Sequence, residues 1–237
     1  MTVLDKPSAC AALQSNALLC ALPPAEIQSL ALVSRVVRAS RGEVLWSRGS
    51  DVDFFGLAAD GFVKMVRSSS HGSDVTLELF GPSQIFGLLG TITGAGCPLS
   101  AMAVTDLWYV RIPKRAFLEL FEQSVPLKDQ LIRRSAIRLH GMVDFMARLC
   151  SGHVDERIAA VLFILAESYG HREEGRLCLR VPLTRQEIGE MAGTTVESTI
   201  RTMSRWQKEG LIETDHQFVT IIDEPRLQSV LLGESRI

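Results

Sequence analysis

The chain has 237 residues, 46% apolar and 22% charged, with 25 Lys and Arg against 27 Asp and Glu for a formal charge of −2. Those proportions suit a globular protein of one large domain or two small ones, and the near-neutral balance carries no sign of a basic nucleic-acid binder. No apolar run approaches the roughly 20 residues of a membrane span. The five cysteines, Cys10, Cys20, Cys97, Cys150 and Cys178, are odd in number, scattered and without a CxxC pair, which points to a reducing compartment, the cytoplasm, and not to a disulfide framework.

Near the start, the Ala/Leu patch from Ala17 to Leu22 is brief, preceded by Gln14, Ser15 and Asn16 and followed by Pro23 and Pro24. It reads as a short amphipathic helix and not as a signal peptide. Glycine then crowds the chain, ten of the eighteen lying between Gly42 and Gly96. Between them come short β-branched and aromatic runs: Glu43 to Trp46, Phe54 to Ala58, Phe62 to Arg67, Val75 to Phe80, Ile85 to Leu88, and Ala101 to Ile112. Such close spacing predicts a compact antiparallel barrel or roll.

From Pro126 to Cys150 the period becomes helical. Ile132, Ala136, Leu139, Val143, Met146 and Cys150 step by four and three, and Leu131, Ser135, Met142, Phe145 and Leu149 form an adjacent stripe, which predicts a helix of about six or seven turns. Arg133, Arg134, Arg138 and Arg148 occupy much of its remainder. The apolar face is wide enough to pack on its own roll and on a second copy, and the heptad-like spacing of Ile132, Leu139, Met142, Met146 and Leu149 favours a parallel dimer seam over a monomer's core helix.

Past a hinge at Ser151-Gly152-His153, Asp155 to Tyr169 reads as a helix closed near Gly170, and Arg172 to Arg180 as a loop with a short strand. Thr184 to Ala192 reads as a helix with Thr184 as N-cap. A tight turn at Gly193-Thr194-Thr195 leads into a second helix, Val196 to Glu209, ended by Gly210. Leu211 to Glu213 and Phe218 to Ile222 then form a hairpin around Asp215-His216, completing the layout of a winged helix-turn-helix. The expected fold class is α+β, with an antiparallel β-roll over 1–125, a dimerisation helix over 126–151 and a winged helix-turn-helix over 152–237.

The run TRQEIGEMAGTTVESTIRTMSRWQKEGLI, Thr184 to Ile212, resembles the DNA-binding unit of the CRP/FNR family of bacterial transcription regulators. The likeness extends upstream through Gly42-Glu43-Val44-Leu45-Trp46 with Gly49, Ile85-Phe86-Gly87 and Asp155-Glu156-Arg157-Ile158-Ala159-Ala160. It implies a homodimeric regulator on a pseudo-palindromic site, with double-stranded DNA and RNA polymerase as partners and an effector pocket between roll and dimer helix. No membrane role is implied. An enzyme is not indicated: no nucleophile, acid and base cluster is evident, and the five histidines have no metal-ligand spacing.

A helix in the major groove offers a carboxylate to cytosine N4 and a guanidinium to guanine O6 and N7. Glu197 and Arg201 stand four apart on one face, so together they suit one G·C pair or adjacent pairs, and the resemblance implies that they read the GA part of a half-site. Without the motif they would be an exposed i,i+4 ion pair. Val196 stands where members that bind cyclic AMP have Arg, which is like the FNR branch, but Ile200 stands where that branch has Ser and offers only an apolar contact to a thymine methyl. Thr184, Arg185 and Gln186 match the family's phosphate-contacting helix start. Ser198, Thr202 and Arg205 are further phosphate candidates, each otherwise a solvated surface residue.

The resemblance also defines an effector pocket, here Leu88, Leu89, Leu99, Ser100, Met102, Met142, Val143 and Phe145. Where cyclic-AMP binders carry Glu, Arg-Ser and Thr-Ser, this chain has Leu88, Leu99-Ser100 and Met142-Val143, and a buried phosphate without its Arg is an uncompensated charge. Cyclic AMP is therefore not expected. A four-cysteine iron–sulfur cluster is not expected either, since Cys10 and Cys20 are the only N-terminal thiols and the roll position is Val110. The apolar lining suits a haem, with His140, Met65 or Met102 as axial ligand, or an apolar metabolite. An effector-independent regulator, control by oxidation of Cys150 or Cys178, and a ligand-sensing module acting through protein contacts are the remaining readings. Residues 153 to 237 carry 10 basic and 14 acidic side chains, so non-specific DNA affinity should be weak and binding more dependent on dimerisation and direct readout.

Overall fold

The structure, a computed structural model, describes residues 6–68, 74–93 and 96–234, apart from the side chains of Thr91, Arg148, Cys150 and Ser151. Expectations resting on the side chains of Arg148, Cys150 and Ser151 thus lie outside the described residues. The chain divides into two compact units: the first runs to Arg138, the second takes Leu139 onward, and a short stretch ending at Thr76 groups with the second.

The first unit opens with α1 (Ala9–Ser15), a single 3₁₀ turn (Leu19–Ala21) and α2 (Pro24–Val33). The amphipathic helix expected over Ala17–Leu22 is absent. Asn16 breaks the chain there: its buried side chain accepts from the Leu18 and Leu19 amides (3.0 Å each) and donates to the Ser83 carbonyl (2.8 Å). Pro24, which follows that patch, opens α2 at its first turn, where a missing N–H costs nothing.

Eight strands follow: β1 (Arg35–Ala39), β2 (Val44–Trp46), β3 (Phe54–Asp60), β4 (Val63–Ser68), β5 (Asp74–Phe80), β6 (Ile85–Phe86), β7 (Ser100–Ala103) and β8 (Leu107–Pro113), with α3 (Leu88–Thr93) between β6 and β7. They form two four-stranded sheets ordered β1-β8-β3-β6 and β2-β7-β4-β5. The run Ala101–Ile112 is two strands, not one. The turn between them is made by Thr105, whose hydroxyl accepts from the Phe62 amide, and Asp106, which accepts from the Arg41 amide and from Arg38. Those bonds hold the Asp106 carboxyl below its usual range, the Arg41 amide contributing most.

The sheet containing β3 and β8 is apolar on both faces. Alternate residues Phe54, Ala58, Leu107 and Tyr109 enter the roll interior, while Phe55, Leu57, Val110 and Ile112 pack with Leu13, Leu19, Leu30 and Phe117 of the helices outside it. Phe117 lies on α4 (Lys114–Gln123). Inside the roll Trp46 stacks on Phe86 with centroids 5.4 Å apart. Gly56 is required beneath that ring, because a Cβ there would sit 2.0 Å from Phe86.

The long helix α5 (Val125–Ser151) has 27 residues and so extends about 40 Å. Ile132, Leu139 and Met146, spaced by sevens, are 68%, 62% and 57% exposed, and Ile137, Met142 and Val143 are exposed too. The second unit continues with α6 (Val154–Tyr169), β9 (Gly170–Glu173), β10 (Arg176–Leu179), α7 (Arg185–Ala192), α8 (Val196–Lys208), β11 (Ile212–Asp215), β12 (Phe218–Ile221) and α9 (Glu224–Leu231). Its strands form one antiparallel sheet ordered β11-β12-β10-β9. The expected loop after α6 is thus a full hairpin, with Glu174 and Gly175 in the left-handed region at its turn.

Candidate nucleic-acid interface

The α7–turn–α8 segment is punctuated at each end by its own residues. Thr184 caps α7 in a reciprocal capping box: its hydroxyl accepts from the Glu187 amide (3.2 Å), and Glu187 Oε2 accepts from the Thr184 amide (2.7 Å). Gly193 ends α7 at φ 59°, and Thr195 caps α8 by accepting from the Ser198 amide (3.2 Å). The two helices cross closely at Gly189, where a Cβ would meet Thr199 Oγ1 at 2.8 Å and the Thr194 carbonyl at 3.2 Å.

Helix α8 is divided sharply. Thr199, Thr202, Met203 and Trp206 are buried against the unit's core, while Glu197, Ile200, Arg201, Ser204, Gln207 and Lys208 face outward. Glu197 and Arg201 are exposed, and neither makes an ion pair or hydrogen bond among the described residues, so the exposed i,i+4 pair is not formed. Ile200 is exposed beside them and Val196 is half-buried.

Behind this face, α6 fixes the helix. Asp155 accepts from Thr202 Oγ1 (2.8 Å) and pairs with Arg205, and Arg157 donates to the Gly193 carbonyl (2.9 Å). The expectation of phosphate contacts from Thr202 and Arg205 is corrected by this arrangement. Thr202 is 4% exposed, and both side chains are turned to Asp155. Thr184 is corrected in part, its hydroxyl and amide being committed to the capping box.

Arg185 is half-buried and donates to Thr214 Oγ1 (3.2 Å) on β11, which in turn donates to Gln207 Oε1 (3.2 Å). Burial pushes its guanidinium below the usual range. Gln186 is exposed and donates to Glu190 (3.1 Å), and Ser198 is half-buried. The amides of Arg185 and Gln186 open α7 without intrahelical acceptors, which leaves a helix N-terminus able to receive an anionic oxygen.

The effector-pocket candidates fall in both units. Within the first unit, Leu88 joins the helix-side core while Leu99 packs on the roll interior, so these two lie on different sides of a sheet. Ser100 accepts from the Arg48 amide (2.9 Å), Met102 is half-buried and Leu89 is exposed. Within the second, Met142 and Val143 are exposed, and Phe145 lines a groove of about 180 Å³ with Phe163 and Ile164. Of the haem-ligand candidates, His140 is exposed on α5. Met65 is buried in the roll core, and Met102 lies opposite Lys64, so the two methionines point to opposite faces of their sheet. Cys97 is also in the roll core, its thiol pushed up by burial and then by Asp51.

Among the described residues, the one group of three potential ligand atoms within reach of a single ion is His171, Glu173 and Cys178, on the β9–β10 hairpin. Sequence spacing missed it, since the residues meet only through the strand register.

A helix-turn-helix with a strand wing, joined through a long helix to a β-roll, defines a two-domain transcription regulator. Residues 156–230 match the Crp-like helix-turn-helix domain and residues 36–124 the cyclic nucleotide-binding domain. Among curated proteins, the CRP-like cAMP-activated global transcriptional regulator of Mycobacterium tuberculosis is 28% identical over 204 residues, covering 86% of this chain and 91% of its own. Transcriptional activator protein Anr of Pseudomonas aeruginosa is 29% identical over 203 residues, 86% of this chain and 83% of its own. FixK2 from Bradyrhizobium japonicum shares the fold, with a TM-score of 0.74 at 20% identity over 84% of this chain and 97% of its own. The chain belongs to the CRP/FNR family of transcription regulators. Its relatives are regulators and not enzymes, and no helix among the described residues is long and apolar enough to cross a membrane.

Proposed function

We propose that this regulator works as a homodimer joined along α5 and reads a pseudo-palindromic DNA site with one α8 per half-site, acting with RNA polymerase. The roll over 1–125 is the sensor, 126–151 the dimerisation helix and 152–237 the DNA-binding domain. The observation that carries the reading is the outward face of α8, where Glu197 and Arg201 are exposed and unpaired among the described residues while the opposite face is locked to Asp155. Groups held ready without a partner lose little when they turn to base edges. The apolar exposure of Ile132, Leu139, Met142 and Met146 supports the dimer, because a row of that size at heptad spacing is unfavourable in water unless covered. Phosphate contacts fall to the amides opening α7 and to Arg185, Gln186 and Ser198.

No cyclic nucleotide is the signal: Leu88 is in a core cluster and Leu99 packs on the roll, so neither offers a charge to a phosphate. A second reading, an effector-independent regulator, is favoured by the roll interior, which Trp46, Phe54, Phe80, Phe86 and Tyr109 fill with their own rings. Binding of duplex DNA by freshly purified protein, before and after dialysis and alongside its absorption spectrum, separates the two. Loss of affinity on dialysis means a dissociable effector, a Soret band means haem, and unchanged affinity with no chromophore means neither.

A further inference from the structure

Strand β9 pairs with β10 so that His171 lies directly opposite Cys178, and Glu173 lies two residues along from His171. In a strand, positions two apart share a face and directly opposed residues project to the same side. His171, Glu173 and Cys178 therefore stand together on one side of the hairpin, and one ligand atom from each lies within 4.8 Å of the other two. His171 Nε2 is 3.5 Å from Glu173 Oε2, while the buried Nδ1 has no hydrogen-bond partner among the described residues, so none of them holds the ring to another task. The nearby cations are engaged elsewhere: Arg176 pairs with Glu213 (3.4 Å) and Arg172 with Glu224 (2.7 Å).

We propose that this triad is a binding site for a zinc-class divalent cation, with imidazole, carboxylate and thiolate as three ligands and solvent at the fourth position. The donor set is the borderline-soft one that zinc takes, and not the all-oxygen set of calcium or magnesium. Tetrahedral bonds of 2.0 to 2.3 Å put ligand atoms about 3.3 to 3.8 Å apart, so side-chain rotation of about 1 Å closes the site without moving a strand. Binding releases the Cys178 thiol proton to solvent and joins Sγ to the metal, with no change of oxidation state. The ion clips together the two strands that link α6 to α7, bracing the frame that carries the reading helix.

The test uses the full chain, reduced and freed of metal by chelator, titrated with Co²⁺. The site predicts a cobalt–thiolate charge-transfer band in the near ultraviolet that saturates at one equivalent, is displaced by Zn²⁺ and is lost in Cys178→Ser. His171→Gln and Glu173→Gln should each weaken cobalt binding by about tenfold or more. In the unsubstituted chain, Zn²⁺ should slow alkylation of Cys178 but not of the exposed Cys20, read by peptide mass spectrometry. Absence of the band, its persistence in Cys178→Ser, or no protection of Cys178 would overturn the assignment.

Discussion

Replacing Arg201 by Ala isolates direct readout from stability. Arg201 is exposed, makes no described bond and lies on the face of α8 opposite Thr199, Met203 and Trp206. Its removal therefore leaves the core intact, and the unfolding free energy should change by no more than about 0.5 kcal/mol. A bidentate pair with guanine contributes about 1 to 3 kcal/mol of discrimination. A homodimer loses it in both half-sites, which are far enough apart to be additive, so the loss is about 2 to 6 kcal/mol. That is about 30-fold to about 20,000-fold in affinity. Fluorescence anisotropy at one fixed salt concentration, on the selected duplex and on a duplex changed at the guanine, reads both quantities. The variant should bind the two duplexes equally, and the original chain should separate them. If Arg201→Ala kept the original base preference, readout by this residue would be wrong.

Four further outcomes follow from the same geometry. Leu139→Asp should yield a folded monomer by light scattering: Leu139 is 62% exposed in the single chain, and losing the burial of that share from both protomers costs the dimer about 2 to 4 kcal/mol. Asp155→Ala removes the acceptor of Thr202 and Arg205 and should lower stability by about 1 to 2 kcal/mol after allowance for partial exposure, with weaker DNA binding; an unchanged urea midpoint would contradict this. Gly189→Ala places a Cβ against Thr199 and the Thr194 carbonyl and should cost about 1 to 3 kcal/mol, measured by thermal unfolding. The Cys97 thiol, raised by burial and then by Asp51, should alkylate far more slowly than exposed Cys20 near neutral pH and catch up only on unfolding.

The helix-turn-helix was legible because its punctuation is local. Thr184 with Glu187, Gly193, Thr195 and Gly210 each mark an end through a bond or a backbone angle that the residue type itself requires. The roll was legible in class but not in detail. Its two-faced sheet buries Phe54 through Ala58 on both sides, so no polar alternation marks strand ends, and Thr105 and Asp106 end one strand by side-chain bonds across the roll. β1, α2, α4 and α9 went unread for a similar reason: each docks through tertiary burial, with Ala39 anchoring β1, Ile27 and Leu30 α2, Phe117 α4 and Leu227 α9. At the site, the burial of Thr202 was readable in principle, since it is three residues past Thr199 and four before Trp206, on the same helical face. The triad of His171, Glu173 and Cys178 was not, because only the hairpin register joins them.

Selection from a random duplex pool by the purified full chain tests the central claim most directly. The account predicts enrichment of a two-fold symmetric site whose half-sites are about 10 to 10.5 base pairs apart, each with a G·C pair at one invariant position. Glu197→Ala and Arg201→Ala should both erase that position from the selected sequences. A pool that shows no symmetric site, or one whose invariant position survives both substitutions, would contradict a dimer that reads DNA through the outward face of α8.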